Sequence, residues 1–302
     1  MSVPVTLLVP CHNAAEFLPR FFASLQESTR PFAEVICCDD GSHDDTIDVA
    51  RRLGARVLQN ERNCGVAVTR NRLALAAETE WFHFHDADDL LGRQYLERLL
   101  PLTAAADVVT CDADWLDERS RELVLPWRYD PAAMEAEATA HLLTHPMSLN
   151  NSLIRRSTWL AVGGCDESMR MWEDADVHVR MAAHGARFRH LAEVHSYALR
   201  RETSFSHDYR RSWNQRLAAL ERYVTLLPPE TRRAQLEAIE QAAAELVRHR
   251  DLPAARRAIA LAASLGGGLP RTRNPVVNAC RKMLGPLTAL RLQTWMRTRL
   301  AR

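Results

Sequence analysis

Residues 82–91, FHFHDADDLL, place three carboxylates directly after a short run of alternating aromatic residues and histidines. The alternation predicts a buried strand, and Asp86, Asp88 and Asp89 follow its end. Its two histidines, His83 and His85, are interpreted as structural residues. Clustered carboxylates repel each other, so something must compensate for them. One explanation is the first turn of a following helix, where Asp favours the dipole and caps free amides. The other is a site for a hard divalent cation, which prefers carboxylate oxygens.

The sequence around this stretch alternates between strand and helix patterns. Short apolar runs at residues 3–10, 32–40, 55–60, 80–86 and 106–115 are separated by segments with helical spacing. This alternation predicts an α/β fold: a Rossmann-like, mostly parallel sheet flanked by helices. Ligands of such sheets bind outside the carboxyl ends of the strands. Four of those ends are polar: PCHN (10–13), DDGS (39–42), NERNCG (60–65) and DADD (86–89).

The last third of the chain has a different pattern. Beyond Phe205 the spacing of apolar residues is helical, which predicts a catalytic domain at residues 1–206 and a C-terminal helical extension at residues 207–302. From Arg248 onward there are twelve Arg or Lys residues and one acid, Asp251. Two readings remain open for this basic tail. It either contacts anionic lipid as a peripheral amphipathic surface or packs as a helical cap on the catalytic domain or a partner subunit.

The composition of the chain argues against several classes of protein. The net charge of +1 over 302 residues gives no general attraction for nucleic acid, and no nucleic-acid partner is expected. The seven cysteines show no metal-ligand spacing, which favours reduced thiols and a cytoplasmic location. The first residues lack the basic region of a signal peptide, and no apolar run reaches 18 residues, so we expect neither a cleaved leader nor a membrane span.

The order of these segments resembles a known family. VPCHN, EVICCDDGSHDDT, NCG with TRN, DADD, GGCDE and WEDAD follow one another as in the family 2 inverting glycosyltransferases, which have the A-type glycosyltransferase fold. The resemblance covers roughly residues 3–206. It implies that the chain moves a sugar from a nucleotide-diphosphate donor, with a UDP-sugar favoured, to a hydroxyl of a glycan or lipid-linked acceptor. A role in cell-envelope polysaccharide synthesis at the inner face of the membrane would follow.

The resemblance also assigns donor-site residues. Asp88 is expected to bind Mn²⁺ or Mg²⁺, which neutralises the diphosphate leaving group, and Asp86 to lie near the sugar, the ribose or the waters of the metal. Asp89 is instead expected to cap the next helix. In the nucleoside pocket, Asp40 is expected to accept the imide N–H of uracil. The other donor contacts expected from the resemblance are Asp39 beside Asp40, Pro10, Cys11 and Asn13 along the base and ribose, and Arg70 on the diphosphate.

The general base comes from an acidic pair at a helix start. By resemblance it is Asp174, with Glu173 beside it near the acceptor; Trp172 either stacks on an acceptor sugar or belongs to the core. Relatives often carry a His after the last strand, where this chain has Arg201 or Glu202, so Arg200 or Arg201 is a candidate to neutralise the phosphates. Two alternatives stay open: a non-catalytic, transferase-like scaffold and a sugar nucleotidyltransferase. Residues 112–150, expected to set the acceptor, contain no motif, and a further strand is predicted from Leu149 to Ile154.

Overall fold

The computed structural model describes residues 3–201, 208–267 and 275–300. The chain divides into two compact units, residues 1–204 and 205–302. The boundary predicted at residues 206 and 207 lies next to this division, but residues 202–207 are outside the described part of the chain. Among the described residues, no helix is both long and apolar enough to cross a lipid bilayer.

Within residues 3–201, nine strands form one mixed sheet. They are β1 (Val5–Cys11), β2 (Glu34–Asp39), β3 (Arg56–Gln59), β4 (Trp81–Phe84), β5 (Leu90–Leu91), β6 (Val108–Asp117), β7 (Leu123–Trp127), β8 (Ser152–Arg155) and β9 (Phe188–Arg200). The order across the sheet is β3-β2-β1-β4-β8-β6-β9-β5, and β7 pairs with the far half of β6. The sheet is parallel from β3 to β4, as the repeated strand–helix units predict.

The first unit surrounds this sheet with helices. They are α1 (Leu18–Gln26), α2 (Thr46–Arg52), α3 (Val66–Ala76), α4 (Tyr95–Leu99), α5 (Pro131–Ala136), α6 (Ala138–Thr144), α7 (Arg156–Ala161) and α8 (Glu173–Ala183). Two expectations near β8 need adjustment. Residues 149–151 form a 3₁₀ turn before β8, where the sequence predicted one strand from Leu149 to Ile154. Asp89 precedes the short strand β5 and caps no helix, because α4 begins at Tyr95 with Gln94 as its N-cap.

The central strands are buried on both faces, which explains their continuous apolar runs. Leu7, Leu8 and Phe82 are fully buried, and the two histidines of β4 are buried with them. His83 hydrogen-bonds Ser152 O at 2.9 Å and approaches His85 at 3.2 Å, and burial lowers the pKa of both imidazoles. These neutral rings therefore fix β4 within the sheet, in agreement with the structural role predicted from their alternation with Phe82 and Phe84.

The second unit is helical in its described part, as the pattern beyond Phe205 predicts. Its helices are α9 (Tyr209–Leu226), α10 (Arg232–Arg248), α11 (Leu252–Ser264), α12 (Pro275–Leu284) and α13 (Pro286–Leu300). Leu220 and Ile239 are buried between them, and Asp251 caps α11 by accepting from the amide of Ala254 at 3.2 Å.

Candidate active site

The carboxylates after β4 are held by an asparagine from a distant segment. Asn150 Nδ2 donates to Asp86 Oδ2 at 3.2 Å and to Asp89 Oδ2 at 2.7 Å, while its Oδ1 accepts from the amide of Asp86 at 3.1 Å. Asp89 also accepts from the amide of Leu199 on β9 at 2.8 Å and is almost completely buried. Asp89 therefore connects the loop after β4 to the turn before β8 and to β9, instead of capping a helix.

The side chain of Asp88 has a different partner from those of Asp86 and Asp89 and is about one-third exposed. Its Oδ2 forms an ion pair with Nη2 of Arg201, and its carbonyl accepts from Arg20 at 2.9 Å. Burial and the neighbouring charge of Asp86 raise the pKa of Asp88, whereas Arg201 opposes that shift. The acid predicted to hold a metal thus faces a cation supplied by the protein itself.

Asp86 and Asp88 are the candidate ligands of a divalent metal ion. In the described part of the chain, no group of three or more His, Cys, Asp or Glu side chains could hold a metal alone. Asp86 and Asp88, both about one-third exposed, provide two carboxylates at one strand end. Mg²⁺-type ions in transferases commonly use one or two carboxylates and take their other ligands from substrate phosphates and water. The residues therefore fit a metal that is bound together with a diphosphate.

The two acids after β2 have different surroundings. Asp40 is buried, and its carboxylate accepts hydrogen bonds from Asn60 Nδ2 and from the amides of Cys64 and Gly65, each at 2.8 Å. Oδ2 of Asp39 accepts from the amide of Ser42 at 3.2 Å. Oδ1 of Asp39 is buried and has no hydrogen-bond donor among the described residues. Asp40 therefore organises the loop before α3, and Asp39 retains an open acceptor.

The residues after β1 approach the same loop. Asn13 has a left-handed backbone with φ of 50°, which Asn tolerates, and its Oδ1 accepts from the amide of His43 at 2.9 Å. Pro10 is partly exposed. The thiol of Cys11 points into the core beside Leu18 and Phe21, so only the backbone of this residue remains to face a donor.

Arg70 links the acids after β4 to those at the start of α8. Its side chain is almost completely buried; Nη1 lies 2.5 Å from Glu173 Oε1 and Nη2 lies 2.9 Å from Asp86 Oδ1. Its Nε is buried without an acceptor among the described residues. The predicted donor-side and acceptor-side acids therefore meet at one guanidinium. No such link could be read from the sequence, because the three residues are far apart in the chain.

Asp174 follows Glu173 in the first turn of α8 and stays partly exposed. Burial and the adjacent charge of Glu173 raise its pKa to about 7, while Arg70 and the Ala175 amide act in the opposite direction. A carboxyl with a pKa near neutrality is suited to general base catalysis. Trp172, at the N-cap position, has φ of 69°, which is uncommon for a bulky residue and occurs mainly where surrounding structure enforces it.

The turn before α8 is fixed by α3. Asn71 donates from Nδ2 to the carbonyl of Cys165 at 2.9 Å and accepts at Oδ1 from the amide of Cys165 at 2.8 Å. Gly164 has φ of 69°, and a Cβ there would lie 2.3 Å from Asn71 Oδ1. The GGCDE segment thus needs a glycine at this position so that Asn71 can approach. Asn71 positions α8 through this turn.

Three aromatic rings, on β6, β7 and the segment after β7, form a series that was not predicted from the sequence. Tyr129 lies 6.5 Å from Trp127, and Trp127 lies 5.2 Å from Trp115, between ring centroids. Tyr129 also packs against His141 of α6, and α6 contacts α8. Burial raises the pKa of Tyr129, and the charge of Asp174 adds to the shift. Trp127 at the end of β7 and Tyr129 two residues later show the alternate spacing that was the available signal.

Comparison with known proteins identifies the family of this chain. The family model described as glycosyl transferase family 2 matches residues 6–173. The succinoglycan biosynthesis protein ExoA of Rhizobium meliloti is 28% identical over 201 residues, which cover 62% of this chain and 60% of that protein. The uncharacterized glycosyltransferase YibD of Escherichia coli is 26% identical over 168 residues, 52% of this chain and 47% of that protein. The chain spans less than two thirds of either relative.

Solved structures share the fold at low identity. S. aureus TarS 1-349 in complex with UDP-GlcNAc superimposes with a TM-score of 0.67 at 18% identity, covering 97% of this chain and 89% of that one. The mannosyltransferase PcManGT from Pyrobaculum calidifontis, in complex with GDP-Man and Mn²⁺, gives 0.64 at 18% identity, covering 97% and 84%. These likenesses confirm the predicted A-type fold. Since the family model spans more than half of the chain, and the predicted motifs lie along one edge of that fold, the chain belongs to glycosyl transferase family 2.

Proposed function

We propose that this protein is an inverting, metal-dependent glycosyltransferase that uses a nucleotide-diphosphate sugar, with UDP favoured. The observation that carries the proposal is the contact of Arg70 with both Asp86 and Glu173, at 2.9 and 2.5 Å. It brings the acids expected at a donor diphosphate next to the helix start that bears Asp174. An inverting transfer needs these two groups at one reacting centre: one side holds the leaving group, and the other activates the attacking hydroxyl.

In the proposed reaction, Asp174 removes the proton from the acceptor hydroxyl as its oxygen attacks the anomeric carbon. The bond from that carbon to the diphosphate breaks at the same time, and the nucleoside diphosphate leaves. A divalent ion held by Asp88, with Asp86 nearby, would supply Lewis-acid stabilisation of the leaving diphosphate. Arg70 and Asn71 keep α8 in place, and Glu173, through its ion pair with Arg70, acts as a positioning residue.

The nucleoside is assigned to the end of β2. Oδ1 of Asp39 is the buried carboxylate oxygen that lacks a donor among the described residues, and the imide N–H of uracil would provide one. We therefore place the uracil contact on Asp39 in preference to Asp40, whose oxygens already accept three hydrogen bonds. Pro10, Asn13 and the backbone of Cys11 would border the base and ribose.

The acceptor is assigned to the rings of Trp115, Trp127 and Tyr129, because Tyr129 packs against α6 and α6 contacts α8, the helix that bears Asp174. Trp115 and Trp127 are partly exposed on neighbouring strands. Aromatic side chains offer large apolar faces, and a pyranose with equatorial hydroxyls presents axial C–H groups that can stack on such a face. This chemistry favours a glycan acceptor, or the sugar part of a lipid-linked one.

We propose that the basic C-terminal tail contacts the surface of a membrane. Met283, Leu284 and Trp295 of α12 and α13 are between 52% and 80% exposed, which is unusual for large apolar side chains. Arg281 and Lys282 lie in the last turn of α12. Exposed apolar and basic side chains on helices suit the headgroup region of anionic bilayers. Flotation with vesicles containing anionic lipid tests this contact, with neutral vesicles and a Met283→Ser/Trp295→Ser variant as controls; equal recovery from both kinds of vesicle would oppose it.

Calorimetric titration of UDP, GDP and dTDP, with and without Mn²⁺, tests the donor site in the wild type and in Asp88→Ala. We expect metal-dependent binding of UDP that the variant loses. Absence of binding for all three nucleotides under both conditions would contradict the proposal and favour a transferase-like scaffold. A chain that binds UDP but shows no release of UDP from UDP-sugars, with or without glycan acceptors, would also favour the scaffold.

A further inference from the structure

Arg201, the residue that follows β9, contacts an acid of the candidate donor site. Its Nη2 forms an ion pair with Asp88 Oδ2, and its Nε lies 3.9 Å from Glu118 Oε2. The guanidinium also stacks over the ring of Phe17, 4.2 Å from the ring centroid. The side chain is only 19% exposed. Three segments of the first unit therefore hold this cation against the acid that is expected to bind a metal.

The position of Arg201 would allow a divalent ion to replace its guanidinium at Asp88. A divalent ion and a guanidinium repel each other when they are both within about 4 Å of the same carboxylate. A diphosphate brings negative charge to the same place, and the planar donors of Arg match phosphate oxygens well. A metal and a diphosphate arriving together would thus displace Arg201 from Asp88 and offer it a new partner.

The neighbouring Arg20 does not compete for the carboxylate. Arg20 donates to the backbone carbonyl of Asp88 at 2.9 Å and pairs with Glu118 at 3.5 Å. Arg20 shares Glu118 with Arg201, but its hydrogen bond to the carbonyl of Asp88 does not involve the Arg201 guanidinium. Release of Arg201 would therefore leave the loop after β4 anchored, so that one side chain can move without disturbing the strand end.

We propose that Arg201 is a resident cation which occupies Asp88 in the donor-free protein and transfers to the diphosphate when the donor and a metal bind. This inference rests on the proposed donor site and adds a residue to it. It predicts that the protein binds metal weakly in the absence of a nucleotide, because Arg201 must first be displaced.

The first experiment measures binding of Mn²⁺ alone by electron paramagnetic resonance. We expect Arg201→Ala to bind Mn²⁺ at least about tenfold more tightly than the wild type, because the competing charge is gone. Arg201→Lys should remain near the wild type, and Arg20→Ala serves as the matched control, since it removes a nearby guanidinium that is not on the carboxylate. Equal Mn²⁺ affinity in the wild type and Arg201→Ala would overturn the first half of the proposal.

The second experiment measures UDP and uridine binding by calorimetry at saturating Mn²⁺. Arg201→Ala should lose about tenfold in affinity for UDP, which has the diphosphate, and nothing for uridine. Unchanged UDP affinity would overturn the transfer to the diphosphate while leaving the donor site intact. If neither the wild type nor any variant binds UDP, the donor site itself is wrong, and this inference fails with it. Thermal unfolding of each variant checks that it is folded.

Discussion

Arg70 and Glu173 lie 103 positions apart in the chain and form a buried ion pair, with Nη1 and Oε1 separated by 2.5 Å. The second Nη group of the same arginine reaches Asp86. The relationship shows that the two acidic segments of the site share one counter-charge. A change to Arg70 should consequently affect both stability and catalysis.

Replacement of Arg70 by Met should be strongly destabilising. It leaves Glu173 buried without its partner, and breaking one side of a buried pair costs about 3–5 kcal/mol of unfolding free energy. Arg56→Met is the matched control, because the Arg56–Glu34 pair is largely exposed and contributes about 1 kcal/mol or less. Urea unfolding of both variants compares the two costs. Similar losses would mean that the Arg70 pair contributes no more than a surface pair.

Asp174→Asn should abolish most of the transfer activity, by roughly 10²- to 10⁴-fold, if this residue is the general base. In the wild type, kcat/KM should rise with pH through about 7, because the base must be ionised and its pKa is raised to about 7. A flat profile between pH 5 and 8, or activity retained by the variant, would reject the assignment. The charged groups that influence the pKa of Asp174 are Glu173, Arg70 and Asp86.

The same pKa shift predicts a change in stability with a definite sign. Between the ordinary carboxyl pKa of 3.8 and about 7, the folded protein binds the Asp174 proton more tightly than the unfolded chain does. Its stability therefore falls as pH rises through this window. Asp174→Asn removes that dependence, so its melting temperature should exceed that of the wild type by a margin that grows with pH across this window. Thermal unfolding across this range measures the margin, and a constant margin would show that Asp174 is not buried enough to matter.

Substitutions of Asp39 and Asp40 should have different effects: one should change nucleotide preference and the other should lower stability. Asp40→Ala leaves the amides of Cys64 and Gly65 without their acceptor, which costs about 1–3 kcal/mol of stability. Asp39→Asn should keep stability but move nucleotide preference from UDP toward CDP, since its amide can donate to N3 of cytosine where uracil carries a hydrogen. Urea unfolding and calorimetry with UDP and CDP test both parts. An unchanged UDP/CDP ratio in Asp39→Asn would return the base contact to Asp40.

Trp127→Ala should weaken acceptor binding and leave donor binding intact. Loss of one stacking face is worth about 1 kcal/mol or more, which corresponds to roughly a tenfold increase in the dissociation constant. Titration of cellotetraose, followed by tryptophan fluorescence, serves as the probe of ring stacking, with UDP calorimetry beside it. Leu123→Ala is the control, because Leu123 is an exposed apolar residue of the same strand outside the ring series. Equal affinities in the wild type and Trp127→Ala would place the acceptor elsewhere.

Gly163 and Gly164 provide a matched pair in one turn. Both have positive φ, so either alanine variant bears a backbone cost of about 1–2 kcal/mol. A Cβ at Gly163 meets open space, whereas one at Gly164 lies 2.3 Å from Asn71 Oδ1. Gly164→Ala should therefore lose about 1–3 kcal/mol more than Gly163→Ala in urea unfolding. Equal losses would show that Asn71 moves aside freely.

The sequence predicted the fold class and the family because strand–helix alternation and the order of polar strand ends are local patterns. It also located the start of α8 and assigned a structural role to the histidines of β4. It did not predict the role of Asp89, because the hydrogen bond to the amide of Leu199 joins segments 110 positions apart. For the same reason it gave no indication that Arg70 and Arg201 neutralise the acids of the site. Long-range pairing of charges leaves no periodic signal in a single sequence.

Strand β8 lies between β4 and β6, antiparallel to both, although its residues come long after those of β4 in the chain. During synthesis, the edge of β4 that β8 will cover stays unpaired until residues 152–155 have emerged. Unpaired apolar edges of this kind favour aggregation of incomplete chains. The growing chain must therefore keep Trp81–Phe84 shielded for about 70 residues of translation, which at 5–20 residues per second is several seconds. A chaperone that binds nascent chains would act on this protein mainly in that interval.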